Sequence, residues 1–306
     1  MNKKAHIAGI SFSIIFGFSF TLSKFLMNDI TPMAVIAYRF LAAFIVFEIL
    51  RRAKVFKIKI DLKTSLPIVL VALFQPVLYF IFETYGVSKT SSAEAGLMIA
   101  LIPIFVAIFG SIILKEKPKV IQILFILVSI IGVVIIQLFK PNLNFESSII
   151  GFFLLLMAVI SAALFNIASR SASRKFKPVE ITYFMTLVGM ITFNAIYIIQ
   201  LIFNQELGRY FNNLLHIEIL FPILYLGVLA SILGFVLVNY TLSKLPAHVS
   251  SIYSNIATII AVLAGYFFLE EKLGYHHLVG GILIIIGVYG TVRVNYLIKR
   301  KRLRDD

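Results

Sequence analysis

The chain has no cysteine and no tryptophan among its 306 residues. The first absence removes disulfides, thiolate metal sites and cysteine nucleophiles, and leaves the redox compartment open. The second leaves Tyr and Phe to supply any aromatic belt at a membrane surface. Charge is scarce as well, at 14% of residues, against about 25% in soluble domains. No nucleophile–base pair and no strong metal constellation stands out. The five histidines, His6, His216, His248, His276 and His277, fall mostly at expected helix ends. The adjacent pair cannot face one site along a helix, so Glu270, Glu271, His276 and His277 make a weak metal set. The expectation is a protein that is not an enzyme and holds no cofactor or metal.

What the chain has instead is apolar residues, 60% of the total, with a mean hydropathy of +0.99. They come in runs of about 20, the length a helix needs to cross some 30 Å of hydrocarbon. The expected spans are 5–27, 32–50, 66–87, 92–114 and 120–139, then 149–169, 179–203, 216–242, 247–269 and 274–296. Lys3 and Lys4 before the first run could begin a signal peptide. No small-residue cleavage site follows, so the run is expected to stay as a helix.

Half of this pattern repeats. At a constant offset of 155, Tyr85, Ser88 and Lys89 meet Tyr240, Ser243 and Lys244. Gly110 meets Gly265, and Leu114-Lys115-Glu116-Lys117 meets Leu269-Glu270-Glu271-Lys272. Gly132 meets Gly287, and upstream Pro67 meets Pro222. Apolar matches come cheaply, so the glycines, the Glu-Lys pair and the Tyr-x-x-Ser-Lys frame carry the signal. Internal duplication in a hydrophobic chain is a mark of transporter architecture.

Five spans per half is odd, so the second copy is expected to enter the membrane inverted. The net charge of +14 supplies a separate test through the positive-inside rule. With the N-terminus in the cytoplasm, 22 of the 28 Lys and Arg residues fall on the cytoplasmic side. Only Lys89, Lys140, Arg209 and Lys272 fall outside, and Lys24 and Arg39 lie within spans. The expected fold is therefore an all-α integral membrane protein with ten transmembrane helices in two inverted five-helix repeats. The repeats would occupy residues 1–140 and 149–298, with a basic cytoplasmic tail at 299–306 that anchors topology and touches anionic headgroups. The plasma membrane is the expected location, with both termini cytoplasmic. The basic charge is accounted for by the lipid bilayer, so no nucleic-acid partner is expected.

Ionisable residues inside a membrane are costly and are functional candidates by default. Lys24, Arg39, Glu83 and Glu94 all fall in the first half, toward the external ends of their helices, and are expected to gate or couple. Snorkelling would also explain Lys24, and helix capping Glu94. Gln75, Tyr79 and Glu83 recur at four-residue spacing on one helix face. Pro76 should kink that helix, and Pro103 should break the fourth span near its middle. The opposite wall of a substrate cavity is expected from Asn166, Ser231, Asn239, Tyr253 and Asn255, with Ser169 and Ser254 nearby. Polar contact between helices is the plainer alternative for each. Gly17, Gly86, Gly110, Gly132, Gly234 and Gly265 are expected to permit close helix approach. The loop 204–215 is expected to be a linker or a lid.

Several segments resemble a known family. They are Phe16-Gly17-Phe18-Ser19-Phe20 with Lys24, Pro32 with Tyr38-Arg39-Phe40, and the block from Tyr85 to Gly96. Pro103, Leu114-Lys115-Glu116-Lys117 and Gly132 continue the pattern. Together they resemble the drug/metabolite transporter superfamily, specifically EamA-type ten-helix transporters. The second copy is weaker, with Thr258 where the first has Pro103, and Phe165-Asn166 with Ser161 where the first helix has its aromatic-Gly signature. The resemblance implies alternating access and export of amino acids or related metabolites. Multidrug efflux on the same fold, or a non-transporting receptor or scaffold, are the alternatives. No phosphate-binding glycine loop is present, which excludes ATP as the energy source in this chain. Protons are a candidate coupling ion through Glu83, because burial favours the uncharged form of a carboxyl group while a nearby Arg39 or Lys24 opposes it.

Overall fold

A computed structural model of the chain describes residues 3–56, 58, 66–87, 89, 98–99, 101–139, 149–269 and 274–305. Among the described residues every regular element is helical. In chain order these are α1 (Lys3–Leu26), α2 (Pro32–Arg52), α3 (Leu66–Ala72), α4 (Tyr79–Val87), α5 (Ile102–Ile113) and α6 (Val120–Leu138). There follow α7 (Ile149–Ala172), α8 (Pro178–Phe203), α9 (Arg209–Asn212), α10 (Ile217–Leu224), α11 (Phe235–Lys244), α12 (Ala247–Ser251), α13 (Ser254–Leu269) and α14 (Tyr275–Asp305). Among the described residues, seven helical stretches are long and apolar enough to cross a membrane, and Ile102–Ile113 and Val120–Ile136 are shorter apolar helices.

Local chemistry starts and stops these helices. Thr31 caps α2 by accepting the Ala34 N–H at 3.3 Å, and Pro32 opens the first turn, where its missing donor costs nothing. At the other end of α2, Arg51 and Arg52 fold back on Glu48 at 2.6 and 2.8 Å. Pro178 opens α8, and the Glu180 carboxylate accepts the Lys177 N–H at 2.8 Å.

Two helices are irregular at their centres. Between α3 and α4, residues Leu73–Leu78 form a π segment in which Gln75 is extended (φ −150°, ψ 120°) and the Gln75–Pro76 peptide is cis. The expected kink at Pro76 is thus a full break. Between α10 and α11, Tyr225–Gly234 forms a second π segment. Adding the offset of 155 to Leu73–Leu78 lands inside it, so the irregularity recurs with the repeat.

The helices pack in corresponding pairs. The longest contact joins α6 to α14, and α2 lies along α8. The first helix packs on α13, α11 and the second π segment, while α7 packs on α5, α4 and α3. At the α6–α14 crossing, a Cβ on Gly132 would lie 2.5 Å from the Gly280 carbonyl oxygen, and one on Gly287 would lie 2.6 Å from the Phe125 carbonyl oxygen. Only hydrogen in place of a side chain lets these backbones meet. The outward faces of the same helices stay apolar and exposed, as at Val120, Leu278 and Ile285. Such faces suit hydrocarbon rather than water.

The break expected at Pro103 is present: residues 98–99 are helical, Leu101 is a turn, and α5 starts afresh with the proline in its first turn, where its missing donor costs nothing. The span 247–269 is interrupted at Ile252–Tyr253, between α12 and α13, without any proline. Segment 204–215 is folded, with α9 and a short 3-10 turn docked through the buried Tyr210. The basic tail continues α14 as helix through Asp305.

Candidate functional site

The residues that the sequence singles out divide into two groups, one bonded up in helix contacts and one left with spare polar capacity. Arg39 anchors the second group. It is 7% exposed on α2, and its Nε donates to Ser231 Oγ at 2.6 Å. This contact depends on Gly227, one helical turn before Ser231. A Cβ there would lie 2.9 Å from both the Arg39 carbonyl oxygen and Ala42. The guanidinium lies over Phe80 at 5.1 Å, within cation–π range. Its two Nη groups have no partner among the described residues.

Glu83 is the nearest opposite charge. It follows Tyr79 by one turn of α4, and Arg39, Tyr79 and Glu83 interact electrostatically. Yet no ion pair joins Arg39 to Glu83. Among the described residues the pairs are Glu48 with Arg51 and Arg52, Glu116 with Arg170, and Glu206 with Arg209. Among the described residues the Glu83 carboxylate takes only a long 3.4 Å bond from Thr84. Gln75 is half-buried at the helix break directly before Pro76, and its side chain makes no hydrogen bond to a described residue. Ser231 has taken one edge of the guanidinium, and no ion pair joins the rest to the carboxylate.

The other wall behaves differently. Asn239 is fully buried, accepts from Ser169 Oγ at 2.6 Å and donates to Thr182 Oγ1 at 2.9 Å. It ties α11 to α7 and α8. Asn255 donates to Ser129 at 3.0 Å and joins α13 to α6. Tyr253 is 2% exposed, its hydroxyl bonds His6 at 2.6 Å, and its carbonyl accepts from Ser13 at 2.6 Å. Asn166 is half-buried, and among the described residues its side chain bonds only the Ala162 carbonyl of its own helix. Glu94 lies outside the described residues, and so does the side chain of Lys24, whose backbone is in the last turn of α1.

Two features escape the sequence reading. Tyr38, Tyr197 and Tyr210 stack edge to face or tilted within 5.3–5.7 Å, and Tyr210 bonds Asn194 at 2.7 Å. Beside them, a cleft of about 300 Å³ opens between the α1–α2 turn and segment 204–213. The only signal for the cluster was tyrosine spacing on α2 and α8, which periodicity cannot tell from core. The second feature joins Glu116 to Arg170 at 2.8 Å across 54 residues. Glu116 had been noticed only as part of the repeat.

An all-helical chain with repeated apolar spans, matched central helix breaks and buried charge beside one of them defines a multi-pass membrane transporter. The EamA-like transporter family matches residues 3–138 and again 149–293, and the chain belongs to that family and so to the drug/metabolite transporter superfamily. It is 36% identical over 298 residues to the uncharacterized transporter YcxC of Bacillus subtilis, covering 97% of this chain and 95% of that protein. An uncharacterized transporter of Archaeoglobus fulgidus is 26% identical, over 90% of this chain and 94% of its own. A crystal structure at 14% identity superposes with a TM-score of 0.74 over 94% of this chain and 98% of that one, and bears on the fold alone.

Proposed function

We propose that this transporter exports a small zwitterionic metabolite, an amino acid or a close relative, by alternating access. Two inverted five-helix repeats, within 1–140 and 149–298, would rock about a central site. The separate matches of the family to residues 3–138 and 149–293 support two copies. So do the matched π segments and the paired packing of α6 with α14 and α2 with α8. The charge distribution supports ten membrane spans with both termini in the cytoplasm, and the plasma membrane is the fitting location. Segments placed on one side by charge also meet in space. Residues 115–119, 170–177 and 243–247 converge at one end, and 27–32 and 197–213 at the other.

One observation carries the choice of solute. Arg39 is buried and Glu83 half-buried, the two opposite charges are in electrostatic contact, and neither is paired with the other. An unpaired charge in a low-dielectric site is costly unless something completes it. A zwitterion does so at both ends. Its carboxylate takes the free Nη edge of Arg39, a geometry that suits guanidinium, and its ammonium takes Glu83. Tyr79, Gln75 and Asn166 supply hydrogen bonds around it. Ser231 then positions Arg39, while Asn239, Asn255 and Tyr253 hold helices together. Glu83 is also the candidate proton carrier.

Uptake into proteoliposomes of amino acids, nucleosides and cationic dyes, with and without a pH gradient, tests the reading. Movement of amino acids alone, steepened by the gradient, is the expected result. Transport of dyes in preference would favour drug efflux, and movement indifferent to pH would leave facilitated diffusion.

A further inference from the structure

The Glu116–Arg170 contact has the form of a gate. Among the described residues it is the one ion pair that joins positions more than four apart, since Glu48 and Glu206 pair within a helical turn. Lys115, in the left-handed region at φ 58°, ends α5 and turns the chain so that the Glu116 N–H reaches back to the Gly110 carbonyl at 3.0 Å. This turn delivers Glu116 to the second half of the molecule. One carboxylate oxygen accepts from Arg170 Nε at 2.8 Å at the end of α7. The other accepts the Ala247 N–H at 2.8 Å, at the start of α12. Arg170 in turn donates to the Leu242 carbonyl at 2.8 Å, in α11. One carboxylate and one guanidinium thus join four helix ends, satisfying an orphan donor and an orphan acceptor.

We infer that Glu116 and Arg170 form a reversible latch that closes the cytoplasmic ends of the two repeats, and that the transport cycle opens it. The inference rests on the alternating-access reading above. The contact differs from the helix-bridging bonds of Asn239 in one respect that matters for a moving part. Asn239 is fully buried, whereas the Glu116 and Arg170 side chains are 18% and 24% exposed. Water can take over their hydrogen bonds as the helix ends part, so the cost of opening stays modest, while charge-assisted bonds keep the closed form favoured. His248 lies beneath, 5% exposed, with both ring nitrogens unpartnered. Closing covers that imidazole, and opening would let water satisfy it.

The absence of native cysteine allows a direct test. Cysteines at the exposed Lys117 and Lys244 carry spin labels, one on each half, and their separation is read by pulsed electron–electron resonance in lipid nanodiscs. The parent protein should give a dominant short distance. Glu116→Gln should add a longer one, raising the open-to-closed ratio about tenfold or more, as expected for losing a charged hydrogen bond. Arg170→Gln should do the same, and serves if the first variant does not fold. Either folded variant with the parent's distance distribution overturns the latch. The readout needs no solute, so a latch that opens in a protein that carries no amino acid would contradict the function proposed above and leave the latch standing.

Discussion

Arg39 and Asn239 show how two buried polar residues in one bundle take different work. Asn239 spends its bonding on Ser169 and Thr182. Asn239→Leu should therefore lower stability by about 1–2 kcal/mol, seen as a lower melting temperature in detergent, with substrate affinity of the folded fraction unchanged. Arg39 keeps an unused donor edge. Arg39→Lys retains charge but not the planar fork, and should raise KM at least tenfold while leaving melting nearly unchanged. Glu83→Gln should abolish any dependence of transport on the pH gradient, and unchanged pH dependence would remove protons from the mechanism. From sequence alone these residues looked alike, as polar atoms in apolar runs. Which ones were already bonded depended on crossings such as Gly227 against Arg39, and spacing along one helix does not reveal its neighbours.

The helices themselves were largely legible, because length and hydrophobicity set them and the bilayer leaves few alternatives. The breaks were legible only where a proline marked them. Pro76 announced the break before α4, though not its depth. The interruption at Ile252–Tyr253 and the π segment Tyr225–Gly234 carry no such mark. Like Pro76, Pro103 marked a break, the one before α5, where it sits in the first turn. At the α6–α14 crossing Gly132 was read as a contact point and is one, while Gly110 meets Ile167 only at an ordinary 3.5 Å. Gly132→Val should push α6 from α14 and cost about 1–3 kcal/mol, measured by thermal unfolding. Gly208→Ala, with open space around its Cβ position, should change nothing.

For the molecule as a whole, the duplication and the charge asymmetry were the strongest signals, and both concern arrangement rather than chemistry. They predict opposite orientations for the two copies. Single cysteines at the matched positions Lys89 and Lys244 should react with an impermeant maleimide from opposite sides of the membrane, Lys244 from the cytoplasm. Labelling from the same side would dismantle the inverted arrangement. The central claim, that a zwitterion bridges the unpaired Arg39 and Glu83, is tested most directly by counterflow in proteoliposomes. An accepted amino acid is set against its decarboxylated amine and its deaminated acid as competitors. The parent protein should favour the amino acid over both by at least tenfold, and Arg39→Ala should lose its preference over the amine alone. Equal competition by all three in the parent protein would contradict the claim.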